Sequence, residues 1–318
     1  MIRIVFSTLL FSASLYSADW TSLYGAGKLE NQRQRLRKDV DLVIAQEIQP
    51  FLTVEQAHAF SRIQLDMPVA AQPDASPFDS YSAAEEHITL PLLTVAFVED
   101  MAEAYSWLWA NQYSSRTVDE YLGMLRNRLP ADFPDNRYPS PLVALHIPNN
   151  AMENAAVAKM TQRVRRTTLS FMLLHQFGHL SYRSTADESA RKHDTAEADE
   201  EFADAFALEV MKKNSETPAG LLMLIHGMMY LPSAPPKNHP VTRLRLKAMA
   251  DYLDARVHEF SEGRPDRRLA TIAIESLANH IRQAGAFVSD STGQQFWAEQ
   301  GRKTTVADLL PRRLAEQP

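Results

Sequence analysis

The 318-residue chain contains no cysteine, and this absence limits the chemistry it can perform. Disulfides, thiolate metal ligands and cysteine nucleophiles are excluded, so any metal site has to use histidine and carboxylate side chains. Beyond its N-terminus the chain also lacks an apolar run of about 18 residues, the length of a membrane-spanning helix. Acidic residues outnumber basic residues, which gives a net charge of −6. This charge argues against a general nucleic-acid-binding protein.

The residues that are present have the composition of a globular protein. Hydrophobic residues make up 45% of the chain and charged residues 23%, and the length suits one large domain or two small ones. Residues 1–17 resemble a secretory signal peptide, because they contain one early cation, Arg3, then an apolar run, then small residues. We therefore expect an exported protein, periplasmic or secreted. The alternative is a cytoplasmic protein whose first segment is buried.

Hydrophobic periodicity predicts a mainly α fold with a small β-sheet (α+β). Helices are expected at Lys28–Leu52, Leu92–Trp109, Val118–Leu129, Glu153–Tyr182, Thr195–Lys213, Pro218–Tyr230, Val241–Phe260 and Pro265–Gln283. Short strands are expected within Ala59–Met67 and at His87–Leu90 and Leu142–Ile147, and a loop at Pro68–Ser82. We expect an N-terminal helical part (18–150), a core (151–260) and a C-terminal helical extension (261–318), together forming one compact unit.

The most informative stretch is Leu169–Leu180, with the sequence LSFMLLHQFGHL. His175 and His179 are four residues apart, so on an α-helix they lie on the same face. Both imidazoles can therefore reach one metal ion, and zinc is the usual ion for such a pair. The alternative is a pair of core histidines that are only hydrogen-bonded.

An acidic stretch opens the next predicted helix, with the sequence AEADEEFADAFAL. Glu200 and Asp204 are four residues apart and share a helix face. Glu200 can supply the third metal ligand, and Asp204 can accept the spare N–H of a ligand histidine and so fix its tautomer. Glu197 and Glu201 lie near the same face, and either is an alternative third ligand. Otherwise the run is an ordinary solvated helix start.

A third segment, NHPVTRLR, ends at Arg245. His239 can donate a hydrogen bond to the oxyanion of a tetrahedral intermediate. Arg245 can anchor the acidic helix or bind a substrate carboxylate. Taken alone, this segment is better explained as a simple helix start with Pro240 in its first turn.

In order along the chain, the three segments resemble the HExxH, ExxAD and HPxxxxR motifs of gluzincin metallopeptidases related to the CAAX prenyl-protease. They also resemble the Lit-type phage-exclusion peptidase. The resemblance covers about residues 169–246 and implies a zincin-like metallopeptidase fold that acts on a protein or peptide. It implies one zinc ion bound by His175, His179 and Glu200, with Asp204 behind them and His239 and Arg245 facing the substrate. The chain lacks the membrane helices of the prenyl-protease, so lipidated substrates are not implied.

Gln176 departs from the family pattern, which has glutamate after the first histidine. That glutamate takes a proton from the attacking water and passes it to the leaving amine. A glutamine amide has a similar shape but no useful basicity, whereas metal binding should survive because this residue is not a ligand. We therefore predict a zinc peptidase-like protein with impaired or no hydrolysis. The alternatives are an active zinc endopeptidase that uses another base, and a metal-free helical interaction protein.

Overall fold

A computed structural model describes residues 19–72, 75–78, 81–185, 196–214, 216–231 and 239–314, with only the backbone described at 183–185. The predicted signal peptide, residues 1–17, lies outside these ranges, and so does Asn238 of the third motif. Among the described helices, none combines the length and the apolar character that crossing a membrane requires.

Helices form most of the described chain, as the hydrophobic periodicity predicts. In chain order they are α1 Ala26–Asn31, α2 Arg33–Val43, α3 Val54–Phe60, α4 Leu92–Ala110, α5 Arg116–Asn127, α6 Pro141–Ala144, α7 Ala155–Thr185, α8 Ala196–Lys213, α9 Leu221–Tyr230, α10 Arg243–Ala255, α11 Val257–Ser261, α12 Arg267–Val288 and α13 Ser291–Lys303. The helix predicted at Lys28–Leu52 is divided into α1 and α2 and continues through a π-helical turn. It ends in the short 3-10 turn Gln49–Phe51, because Pro50 has no N–H to continue the helix.

One small sheet of three strands is present in the described residues. The strands are β1 Gln64–Asp66, β2 Ser82–Ala84 and β3 His87–Thr89. β3 is the central strand, parallel to β1 and antiparallel to β2, and Ile88 lies opposite Leu65 on one side and Ala83 on the other. The mainly α fold with a small sheet is therefore confirmed.

Two of the predicted strands are present, but the strand predicted at Leu142–Ile147 is wrong. Pro141 begins the single helical turn α6 there, because its fixed φ suits the first helical position. Ala144 and Leu145, at the end of this turn, are buried in the core. The apolar residues that suggested a strand therefore pack into the core from a helical turn. Strand β2 was missed, since it lies at the end of the stretch expected to be a loop.

The long helix α7 lies at the centre of the molecule. All residues from Thr167 to His179 are buried, and a helix that is buried all round has neighbours on every side. Those neighbours are α4, α8, α9 and the strands β2 and β3. The histidine pair predicted from the sequence is therefore enclosed by other elements, and the acidic helix α8 is one of them.

Candidate metal centre

Helices α7 and α8 pack closely at Gly178. A Cβ atom built on Gly178 would lie 2.8 Å from the Cα atom of Ala203, which is closer than packed carbon atoms can approach. The missing side chain therefore allows the two backbones to come together. As a result, the histidine pair of α7 faces the acidic positions of α8.

Four buried side chains converge at this contact, namely His175, His179, Glu200 and His239. One possible ligand atom from each lies within 4.8 Å of all the others. Nε2 of His175 is 3.1 Å from Nε2 of His179 and 2.9 Å from Nδ1 of His239. The carboxylate of Glu200 lies 3.5 Å from Nε2 of His175, 3.3 Å from Nε2 of His179 and 3.2 Å from Nδ1 of His239.

These separations fit a bound metal ion. A tetrahedral ion with nitrogen and oxygen ligands at ~2.0–2.2 Å separates its ligand atoms by roughly 3.3–3.6 Å. The distances from Glu200 to the histidines are close to this range, and the two imidazole–imidazole distances are shorter. Imidazole nitrogens this close repel one another unless a proton or a cation lies between their lone pairs. The cluster could therefore bind a metal ion, and its nitrogen and oxygen donors suit several divalent metals.

Carboxylates behind the two histidines of α7 orient their rings. Nδ1 of His175 lies 2.9 Å from Oδ1 of Asp204, and Nδ1 of His179 lies 2.8 Å from Oδ1 of Asp199. The His179 contact has the geometry of a hydrogen bond, whereas the His175 pair is close but is not aligned as one. In both residues Nδ1 lies on the carboxylate side, and Nε2 is left to face the centre of the cluster. This is the usual arrangement behind metal-binding histidines, because it fixes the tautomer and increases the basicity of the ligand nitrogen.

Arg245 connects helix α10 to the same carboxylates. Its Nε and Nη2 donate to the two oxygens of Asp204 at 2.7 and 2.9 Å, and its Nη1 lies 2.7 Å from Oε2 of Glu200. The residue is only 1% exposed. Of the two roles expected for Arg245, this geometry corresponds to the anchoring of the acidic helix. Its Nε, Nη1 and Nη2 atoms all contact carboxylates of α8.

The electrostatic environment keeps Glu200 ionised and His239 neutral. Burial alone would raise the pKa of Glu200, but its contacts with the three histidines and the charge of Arg245 hold that pKa well below its usual range. Burial lowers the pKa of His239 to about 4, although the nearby Glu200 opposes this shift. Both groups are therefore in the protonation states that metal ligation requires.

The ring of His239 is enclosed by two further residues. It stacks on the ring of Tyr81 at a centroid distance of 4.7 Å and an angle of 10°. Its Nε2 lies 2.9 Å from the side-chain amide nitrogen of Gln176 and 3.3 Å from the carbonyl oxygen of Tyr81. Gln176 thus contacts His239, one of the four side chains of the cluster.

The acidic residues that the sequence left open as a third ligand lie in different places. Glu200 lies in the cluster, Glu197 accepts a hydrogen bond from Thr242, and Glu201 is exposed. Sequence reasoning missed Asp199 and Tyr81. Asp199 adjoins Glu200, but its separation from His179 follows no helical spacing, and Tyr81 is 158 residues from His239. No local pattern could have identified the contact made by Tyr81.

A comparison with protein-family models identifies the family to which this chain belongs. The model of the family described as peptidase U49 matches residues 105–263, which is half of the chain. The chain belongs to the peptidase U49 family. All four members of the cluster and Arg245 lie within the matched residues. No curated protein and no solved structure matches the chain. Membership of the peptidase U49 family agrees with the Lit-type resemblance and indicates a peptidase-like protein.

Proposed function

We propose that this member of the peptidase U49 family binds one zinc ion through His175, His179 and Glu200 and has little or no capacity to hydrolyse peptides. The observation that carries the proposal is the convergence of these three side chains across the α7–α8 contact, with Gln176 beside them. Two histidines and one glutamate form the ligand set of gluzincin peptidases. We also propose that this chain is exported and that its binding partner is a protein or a peptide.

The loss of the base follows from the chemistry of residue 176. When bound in a peptidase, zinc acts as a Lewis acid that polarises the scissile carbonyl. The chain still has to move a proton, and a positioned general base is typically worth ~10²–10⁴ in rate. The amide of Gln176 cannot accept that proton at neutral pH. Binding of zinc and of a peptide would remain possible without it.

The neighbouring carboxylates support impaired hydrolysis over a substitute base. Glu200 and Asp204 are both paired with Arg245, and Asp199 is paired with His179. The positive charge of Arg245 lowers the pKa of both Glu200 and Asp204, so each is a weaker base. Each acidic side chain described around the cluster therefore already has a structural partner.

Metal analysis beside a cleavage assay tests the proposal. We expect about one zinc per chain in the purified protein and markedly less in His179→Ala, while His280→Ala, an exposed histidine on α12, retains the metal. A mixed peptide library incubated with the zinc-loaded protein should be cleaved no faster than with His179→Ala. Equal zinc in the protein and in His179→Ala would remove the proposed site. Cleavage that zinc chelation abolishes would show an active endopeptidase instead.

A further inference from the structure

We propose that His239 is a fourth protein ligand of the metal, so that the coordination shell is closed and no position is left for water or a substrate oxygen. The inference rests on the proposed zinc site and extends it. It gives His239 a different role from the one that the gluzincin resemblance implies, in which this histidine faces the substrate.

The position of the ring carries the proposal. Nδ1 of His239 is 2.9 Å from Nε2 of His175 and 3.2–3.3 Å from both oxygens of Glu200. Nε2 of His175 and Nε2 of His179 are separated by a similar 3.1 Å. An oxyanion-stabilising histidine has to leave space between itself and the metal for the reacting oxygen. Here Nδ1 is as close to the ligand atoms of His175 and Glu200 as those are to the ligand atom of His179, and all four atoms lie within 4.8 Å of one another. The ring therefore occupies the side of the cluster on which a reacting oxygen would have to lie.

The surroundings of the second ring nitrogen indicate which tautomer is present. Nε2 of His239 lies 3.3 Å from the carbonyl oxygen of Tyr81, and a carbonyl can only accept a hydrogen bond. The proton of the neutral ring is therefore on Nε2, and the lone pair of Nδ1 faces the cluster. The amide nitrogen of Gln176 lies 2.9 Å from Nε2, and its oxygen is buried with no hydrogen-bond partner among the described residues. Two N–H groups cannot face each other, so we assign the amide with its ends exchanged, which lets the oxygen accept the Nε2 proton.

This arrangement also assigns Gln176 a positioning role. The residue is 1% exposed, and its amide contacts Nε2 of His239. By accepting the Nε2 proton, the amide would hold Nδ1 deprotonated and directed at the metal, as partners behind metal-binding histidines commonly do. The position that carries the general base in active relatives would instead support a ligand.

Contacts of the ring and of the adjacent backbone hold His239 in place. It is stacked on Tyr81 and is 7% exposed. The carbonyl of the next residue, Pro240, accepts a hydrogen bond from Nη1 of Arg245, the same group that lies 2.7 Å from Glu200. Arg245 thus couples the backbone beside His239 to the opposite side of the cluster. Both ring nitrogens face protein groups, and neither is directed at a substrate.

A closed shell changes the expected use of the metal. Zinc sites with four protein ligands are typically structural, whereas catalytic sites have three protein ligands and an open position. The metal would then join α7, α8 and the segment that begins at His239. The missing base and the missing open position would be two independent reasons for the absence of hydrolysis.

Cobalt substitution of the full chain tests this directly, with azide as a small external ligand. The visible spectrum of the Co²⁺ protein should be unchanged by azide, because no position is open to it. X-ray absorption at the metal edge should detect three imidazoles in the protein and two in His239→Ala. The Co²⁺ spectrum of His239→Ala should shift with azide, and its metal affinity should fall by at least ~10²-fold. The control His280→Ala should match the unmodified protein.

The outcomes separate this inference from the function on which it rests. If the unmodified protein binds one metal ion but shows two imidazoles and a spectrum that shifts with azide, the fourth ligand is excluded and the zinc site remains. If it binds no metal, the proposed function itself fails. Both decisive measurements use the unmodified chain, so they hold even if His239→Ala does not fold.

Discussion

Gln176 and His239 form one unit at the residue scale. The amide of Gln176 lies 2.9 Å from the ring of a histidine that it could not reach by helical spacing, since the two residues are 63 positions apart. Both are almost completely buried. A change at residue 176 therefore alters the support of His239 as well as the proton chemistry of the site.

Gln176→Glu introduces the carboxylate that an HExxH motif has at this position, and we expect it to leave hydrolysis at background. A glutamate can accept the Nε2 proton of His239 in the same way as the amide, so the ring would stay on the metal and the shell would stay closed. Zinc content and melting temperature should change little, because residue 176 is not a ligand. Cleavage of a mixed peptide library by the two zinc-loaded proteins measures this.

A gain in cleavage rate of ~10² or more in Gln176→Glu would give the opposite conclusion. It would mean that the missing base is the only defect and that the shell has an open position. The fourth-ligand inference would then be wrong, and the proposed loss of hydrolysis through Gln176 would be supported. His179→Ala combined with Gln176→Glu is the control, because any true gain has to depend on the metal.

At the scale of elements, the site depends on how closely α7 approaches α8. Both helices are long and were predictable, because their apolar residues repeat with the helical period. Their separation depends on Gly178, because a Cβ atom at this position would lie 2.8 Å from Cα and 3.2 Å from the carbonyl oxygen of Ala203. Both of these atoms belong to the backbone, so they cannot move aside as a side chain could.

Gly178→Ala should therefore push the two helices apart. We expect a loss of roughly 1–3 kcal/mol in the free energy of unfolding, the usual cost of overpacking, even though alanine favours helix more than glycine. Zinc affinity should fall as well, because the ligands of α7 and α8 would separate. Urea unfolding and zinc titration measure the two effects.

Gly27→Ala is the matched control for this substitution. Gly27 lies in helix α1, where a new Cβ atom would have nothing within 4 Å. The substitution should leave the protein unchanged or stabilise it by up to ~1 kcal/mol. Equal stability and zinc affinity in Gly178→Ala and Gly27→Ala would mean that the close approach does not determine the geometry of the site.

For the whole molecule, local spacing predicted some parts of the site and not others. His175 and His179, and likewise Glu200 and Asp204, are four residues apart, so a helix alone places each pair on one face. The position of His239 is different, because it lies 64 residues after His175 and its distance from the cluster depends on the packing of several elements. The sequence therefore suggested a residue near the substrate, whereas in the structure its ring nitrogen lies among the atoms of the cluster that could bind a metal ion.

The fold shows the same division between local and long-range information. The helices follow from periodicity, whereas β2 is three residues long and exists because it pairs with β3 across a turn in which Glu85 has a φ of 53°. Neither the pairing with β3 nor the positive φ of Glu85 can be inferred from the composition of that stretch. The export of the protein and the domain boundaries at residues 150 and 260 stay predictions.

The pH dependence of stability involves a carboxyl group far from the metal centre in sequence. Asp100 on α4 accepts a hydrogen bond from the hydroxyl of Tyr24 at 2.9 Å. Burial raises the pKa of Asp100 to about 7, with a further contribution from Glu99 and Glu103, while the Tyr24 hydrogen bond and the charge of Lys28 oppose the rise. The folded protein therefore keeps a proton on Asp100 at pH values where the unfolded chain has lost it.

The sign of the effect follows from proton linkage. Between about pH 4 and pH 7 the folded state binds more protons at Asp100 than the unfolded state, so its contribution to stability falls as the pH rises and is constant above pH 7. Asparagine imitates the neutral acid and removes this fall. The stability of Asp100→Asn relative to the unmodified protein should therefore increase from pH 4.5 to pH 8, by at most about 4 kcal/mol and less where solvent screens the partly exposed carboxyl.

Urea unfolding of both proteins at each pH measures this difference, and all other titrating groups cancel because the two proteins share them. A flat difference for Asp100→Asn would mean that Asp100 is ionised in the folded protein. A difference that falls with rising pH would mean that its neighbours stabilise the carboxylate, with Lys28 outweighing the effect of burial.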